Sequence, residues 1–204
     1  ACAHHGRTPP CADALVAAGV VRVVSALEDP DPRVKGQGHA RLAAAGISVE
    51  VGEGAEEARE INAGFLLRVA EGRPLFRLKV ASSLDGRIAT ASGESKWITG
   101  EAARRDGHRL RATHDAILIG SATAAADDPS LTCRLPGMEH RSPVRIVLDS
   151  RAGLSLGSTL ATTARATPAW LLCTKAAEPA RRDALRAAGV EVMEVPATAE
   201  GRID

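Results

Sequence analysis

Apolar residues along the 204-residue chain fall into short blocks whose period alternates between helical and extended. Residues 12–19 (Ala-Asp-Ala-Leu-Val-Ala-Ala-Gly), stopped by Gly19, predict a short helix. Residues 20–26 are apolar and β-branched enough for a strand. After the turn cluster Asp29-Pro30-Asp31-Pro32, residues 38–45 predict a helix ending at Gly46, and Ile47 to Val51 a strand. Ala58, Ile61, Phe65, Leu66 and Val69 recur at helical spacing and predict one helix over 54–71. Gly72-Arg73-Pro74 breaks the pattern and divides the chain into domains 1–73 and 74–204. Beyond it the expected order is strand 75–83, strand 87–90, helix 100–113, strands 115–120, 144–149 and 168–173, helix 177–188 and strand 190–195. Helices alternating with strands in both parts predict two α/β layers.

Charge changes the picture mainly by exclusion. Lys plus Arg number 26 against 25 Asp plus Glu, so there is no basic surplus to coat a phosphate backbone. Phe65, Phe76, Trp97 and Trp170 are too few for a base-stacking platform. Nucleic acid is therefore not an expected partner, and no apolar run suggests a membrane. Cys2, Cys11, Cys133 and Cys173 form a poor disulfide framework and suit a reducing, cytoplasmic setting. The opening at Ala1-Cys2 and the close at Gly201-Arg202-Ile203-Asp204 read as cuts at both ends.

Three stretches carry candidate chemistry. In Cys2-Ala3-His4-His5-Gly6-Arg7-Thr8-Pro9-Pro10-Cys11, two thiols with nearby imidazoles are ligand types that zinc prefers. A proline-rich loop holding two unrelated cysteines fits the spacing as well. In residues 77–99, Asp85-Gly86 is a hairpin turn, and Ser92-Gly93-Glu94-Ser95 leads to Trp97. The indole suits either a lid over a flat ring or the core of an ordinary hairpin. Thr99 is the expected cap of the next helix, on which Arg104, His108 and Arg111 share one face. That face could meet a phosphate or stand as a solvated charged surface. The buried strand ending at Gly120 is followed by Thr123 and Asp127, placed where ligands collect in α/β sheets, although Asp128-Pro129 fits a plain helix stop too.

Taken in order, these stretches resemble a known family. The first is similar to the Cys-x-His-x-Gly-Arg-Thr-Pro-Pro-Cys segment of the zinc deaminase in the bifunctional deaminase–reductase family of riboflavin biosynthesis. Lys-x-Ala-x-Ser-Leu-Asp-Gly-Arg, Ser-Gly-Glu-Ser-x-Trp-Ile-Thr, Leu-Arg-Ala and Ala-Asp-Asp-Pro-x-Leu-Thr resemble the reductase of the same family. The resemblance implies the C-terminal part of a cytidine-deaminase-like domain followed by a partial dihydrofolate-reductase-like domain. It implies Cys2 and Cys11 as zinc ligands. It also implies Ala81, Trp97, Thr123, Asp127 and Ser150 as contacts to NADPH. Ser95, Arg111, Leu131 and Arg134 would contact a phosphoribosylamino-pyrimidine, with Lys79 a further polar group at its ribose end. The implied reaction is NADPH-dependent reduction of the ribosyl side chain. The family's His-x-Glu, which gives the third zinc ligand and the deaminase proton shuttle, falls before residue 1, and its glycine-rich cofactor segment falls after Asp204. A poorly active or inactive fragment is the expectation. A homo-oligomer stays open. So do two other readings: a stand-alone dihydrofolate-reductase-like oxidoreductase, and a non-catalytic zinc-stabilised module.

Overall fold

The computed structural model describes residues 3–6 and 8–204. The chain forms two compact units, Ala1–Leu78 and Lys79–Asp204.

In the first unit the elements are α1 (Cys11–Ala17), β1 (Arg22–Ser25), α2 (Gln37–Ala44), β2 (Ser48–Val51), α3 (Ala55–Ile61) and α4 (Ala63–Glu71). β1 and β2 pair in parallel, Arg22 opposite Ser48 and Ser25 opposite Val51. Ala12 and Leu42, on the helices, and Ile47, just before β2, are buried together, with Leu15, Val23 and Val49 packed against them. The single helix expected over 54–71 is two, divided at Asn62, whose φ and ψ are −101° and 13°. The Asn62 side chain donates to the Ala58 carbonyl at 2.8 Å. Asparagine offers the backbone such a local alternative to continued helix, which periodicity of the apolar positions does not register.

The second unit holds α5 (Glu101–Thr113), β3 (Ala116–Gly120), α6 (Ser121–Asp127), β4 (Val144–Leu148), α7 (Thr159–Thr162), β5 (Ala169–Cys173), α8 (Pro179–Ala188) and β6 (Glu191–Glu194). The four strands form one parallel sheet in the order β3-β4-β5-β6. Its core is aliphatic: Val147, Leu160, Leu171, Leu185 and Val192 are buried with small residues such as Ala152, Ala161 and Ala169 between them. A guanidinium lies inside as well. Arg145 on β4 is 0 % exposed. It donates to the Thr163 hydroxyl at 2.8 Å, to the carbonyls of Thr163 at 3.2 Å and Ser130 at 3.4 Å, and to the Thr167 carbonyl. Burial holds its guanidinium below the usual value, and the ring of oxygens compensates the desolvated cation.

The strands expected at 75–83 and 87–90 are not formed. The Asp85-Gly86 turn is present: Gly86, at φ 77°, donates to Ser83 O, and Ser83 donates to Arg87 O. A second turn closes at Gly93, with Thr90 donating to Glu94 O at 2.8 Å. A strand needs a neighbour for its ladder, and none of the described strands lies beside this segment. Its apolar side chains are correspondingly open, Leu78 at 89 % and Ile88 at 68 % exposure. Among the described residues, no helix is long and apolar enough to cross a membrane.

Candidate active site

The C-terminal ends of β3 and β4 lie side by side, Gly120 opposite Leu148. α6 starts directly after β3, and Thr123 and Asp127 stand four apart on it, on one exposed face. The next residue, Asp128, is turned into the left-handed region at φ 38°. Its carboxylate accepts from both the backbone N–H and the hydroxyl of Thr159, each at 2.8 Å. Of the two adjacent carboxylates, one therefore ties α6 to α7 and the other stays on the open face. After β4, Ser150 is held through its carbonyl, which accepts from the Thr174 N–H at 3.1 Å and hydroxyl at 3.0 Å.

The loop that follows is clamped from both sides. The Asp149 carboxylate accepts from Leu154 N–H at 2.8 Å and from Arg151 N–H at 3.4 Å. Arg181 on α8 donates to the carbonyls of Leu154 at 2.9 Å and Ala152 at 3.3 Å. A cavity of about 730 Å³ opens between α6 and this loop, with Ser121, Ala125, Asp149, Arg151, Ser155 and Ser158 in its wall. Sequence reasoning missed these residues, and Thr123, Asp127 and Ser150 flank the cavity rather than line it. The one signal available was Asp149 directly behind an apolar strand, a common start for a side-chain-capped turn.

A second cluster forms where α5 meets the loop 131–134. Leu131 is left-handed at φ 56° while its side chain is buried in the core, so only its backbone can face a ligand. Arg111 donates to the Thr132 carbonyl at 2.9 Å and approaches His108 Nδ1 at 3.4 Å. Arg134 donates its backbone N–H to the same Nδ1 at 3.2 Å. Burial first, and then the Arg134 charge, holds the Arg111 guanidinium below its usual value. His108 is pushed down by burial and by both arginines. Among the described residues, neither arginine forms an ion pair with a carboxylate.

Arg111, Leu131 and Arg134, three of the four expected substrate contacts, thus belong to one knot of interactions. Ser95, the fourth, and the expected cofactor contacts Ala81 and Trp97 lie on the strandless segment that precedes α5. Trp97 is 71 % exposed, and the Arg104 guanidinium covers its ring at 4.6 Å from the centroid. Thr99 does not cap α5: Gly100 takes that place, and the Thr99 carbonyl accepts from Arg104 at 2.7 Å. Lys79 is exposed and its Cε lies 4.0 Å from where a side chain at Gly107 would begin, so its stem runs along α5.

In the first unit, Cys11 opens α1 and is exposed, whereas Cys2 lies outside the described residues. Among the described residues no group of three His, Cys, Asp or Glu side chains could hold a metal ion.

A family model described as the RibD C-terminal domain matches residues 74–202. The chain belongs to the RibD family. A riboflavin biosynthesis protein RibD of Escherichia coli K12 is 53 % identical over 161 residues, covering 74 % of this chain and 44 % of the relative. The RibD of Bacillus amyloliquefaciens is 43 % identical over 191 residues, covering 94 % of this chain and 51 % of the relative. Among solved structures, a diaminohydroxyphosphoribosylaminopyrimidine deaminase/5-amino-6-(5-phosphoribosylamino)uracil reductase from Thermotoga maritima superposes with a TM-score of 0.82 at 34 % identity, covering 98 % of this chain and 54 % of that one. Acinetobacter baumannii RibD gives 0.82 at 44 % identity, covering 96 % and 54 %. The chain thus spans about half the length of the relatives it matches. The mixed α/β class with parallel sheets agrees with these RibD structures, as the resemblance implied.

Proposed function

We propose that residues 74–204 are the first part of an NADPH-dependent reductase acting on the ribosyl side chain of a phosphoribosylamino-pyrimidine, and that residues 1–73 are the end of its deaminase partner domain. The observation that carries this reading is the pairing of Arg111 with Arg134 without a carboxylate among the described residues. A partly buried Arg111 beside an exposed Arg134, neither compensated by a carboxylate among the described residues, suits a dianionic phosphate, which guanidinium groups grip through charge-assisted bonds. Surface charge alone would not gather them, because Arg111 is desolvated and repelled by Arg134.

The fit to NADPH rests on the strand ends. Thr123 and Asp127 on α6 and Ser150 after β4 stand around adjacent C-terminal strand ends, offering hydroxyl and carboxylate groups to ribose and amide edges. Trp97, exposed and steadied by Arg104, offers a flat face to a flat ring. When bound, NADPH would supply the hydride for the ribose carbon attached to nitrogen. The residues of this chain hold and orient; none is assigned a proton-transfer role. Weak activity or none is expected of this length of chain, and the buried thiols Cys133 and Cys173 suit a reducing cytoplasm.

Fluorescence titration with NADPH tests the reading. Trp97 and Trp170 are the two tryptophans, and Trp170 lies on β5. NADPH should quench emission, and Trp97→Ala should remove the quench while leaving the Trp170 signal. An unaltered spectrum at millimolar NADPH would count against the cofactor assignment.

A further inference from the structure

We propose that His108 is a positioning residue for the phosphate end of the substrate, holding Arg134 at a set distance from Arg111. The proposal rests on the reading of the two arginines as the phosphate site. Its basis is the loop 131–134, which belongs to no helix or strand and carries a left-handed Leu131. Such a loop keeps its shape only through specific ties. Four tie it to residues distant in sequence: Arg111 to the Thr132 carbonyl, Ser142 Oγ accepting from Cys133 N–H at 3.0 Å, Cys133 Sγ to the His108 carbonyl at 3.6 Å, and Arg134 N–H to His108 Nδ1. Of these, only the bond to Nδ1 acts on Arg134 itself.

The chemistry of that nitrogen is constrained. Arg134 N–H and Arg111 Nη1 both approach Nδ1, at 3.2 and 3.4 Å. Both are donors, so Nδ1 must present its lone pair, and the ring proton resides on Nε2. A proton on Nδ1 would set N–H against N–H and release Arg134. The imidazole is therefore a neutral spacer between two fixed cations rather than a third cation. Partial burial of the ring and the neighbouring charges of Arg111 and Arg134 favour that neutral form.

The test uses the 204-residue chain and ribose 5-phosphate, titrated by calorimetry, with melting curves for every variant. His108→Ala should weaken binding about tenfold, the loss of roughly one hydrogen bond's worth of positioning. His108→Asn places a pure acceptor oxygen close to the position of Nδ1 and should restore affinity to within about twofold. Nitrogen-15 spectra of the ring should show an unprotonated Nδ1 and a protonated Nε2. His108→Ala binding as tightly as the unaltered chain would overturn the proposal, and so would a protonated Nδ1. A folded His108→Asn as weak as His108→Ala would do the same, and it decides the matter if the alanine variant does not fold. Arg111→Gln separates the underlying reading. If it too binds normally, the phosphate site is elsewhere; if it fails while His108→Ala binds normally, only the role of His108 is lost. No binding by the unaltered chain would overturn both.

Discussion

Asp128 and Thr159, 31 positions apart, share two hydrogen bonds of 2.8 Å, one to the backbone N–H and one to the hydroxyl. The Thr159 N–H is among the first in α7 and has no partner within the helix, so the carboxylate both closes a helix start and joins two elements. Asp128→Ala should lower stability by about 1–3 kcal/mol, since it also puts alanine into a left-handed conformation. Asp128→Asn tolerates that conformation and keeps an acceptor, so it should retain much of the difference. Urea unfolding measures both. Asp127→Asn, on the open face, should leave the midpoint unchanged.

Arg145 gives a second stability prediction. Arg145→Met fills similar space but takes this donor from the carbonyls of Ser130 and Thr167. Each acceptor left unmatched costs about 1–3 kcal/mol, so the sheet unit should lose roughly 2 kcal/mol or more. A midpoint within experimental scatter of the unaltered chain would show that water replaces the guanidinium.

Arg111→Lys tests the geometry of the proposed phosphate site. Lysine keeps the charge but not the planar fork that reaches both the Thr132 carbonyl and a ligand. Ribose 5-phosphate should bind about tenfold more weakly, with NADPH affinity nearly unchanged. A loss confined to NADPH would instead place Arg111 with the cofactor.

Acid should act on the two units differently. In the first, the hydrogen bonds from Arg33 hold the Asp31 carboxyl down at about 2, against 3.8 unperturbed. Its contribution is fully present above 3.8 and is lost as pH falls toward about 2. An NMR titration should find that midpoint, and Arg33→Gln should move it back up toward the ordinary value.

In the second unit, His108 is depressed below 6.5 by burial and by Arg111 and Arg134. The folded state binds fewer protons there than the unfolded chain, so stability falls as pH drops below 6.5. His108→Asn should flatten that part of the profile. A profile that is unchanged in the asparagine variant would show that other groups set it.

The sequence made the four strands of the sheet legible because they are aliphatic runs closed by turn residues, and Gly120 and Asp149 mark their ends. The strands expected at 75–83 and 87–90 had the right alternation, but alternation states only that a segment can pair. Pairing depends on a neighbour that local pattern cannot supply. Asn62 shows the complementary error: the apolar spacing continues through it, and one side-chain bond to Ala58 still divides the helix. At the site, Arg111 and Arg134 were legible only through family resemblance. The spacing of Arg104, His108 and Arg111 left a solvated face as the usual reading, and the return of the 131–134 loop onto α5 is a contact that this spacing does not register. The cavity wall from Ser121 to Ser158 was invisible because it is assembled from residues with no shared pattern.

The strand order β3-β4-β5-β6 repeats the order of the chain itself. Each strand therefore meets its partner as the next one made, with a single crossover to close and little entropy lost per closure. The sheet can assemble vectorially as the polypeptide leaves the ribosome, with β3 as template and β4, β5 and β6 added in turn on one side. Its nucleus should accordingly be the β3–β4 pair with α6 between them, before the cysteine-bearing end of β5 is synthesised.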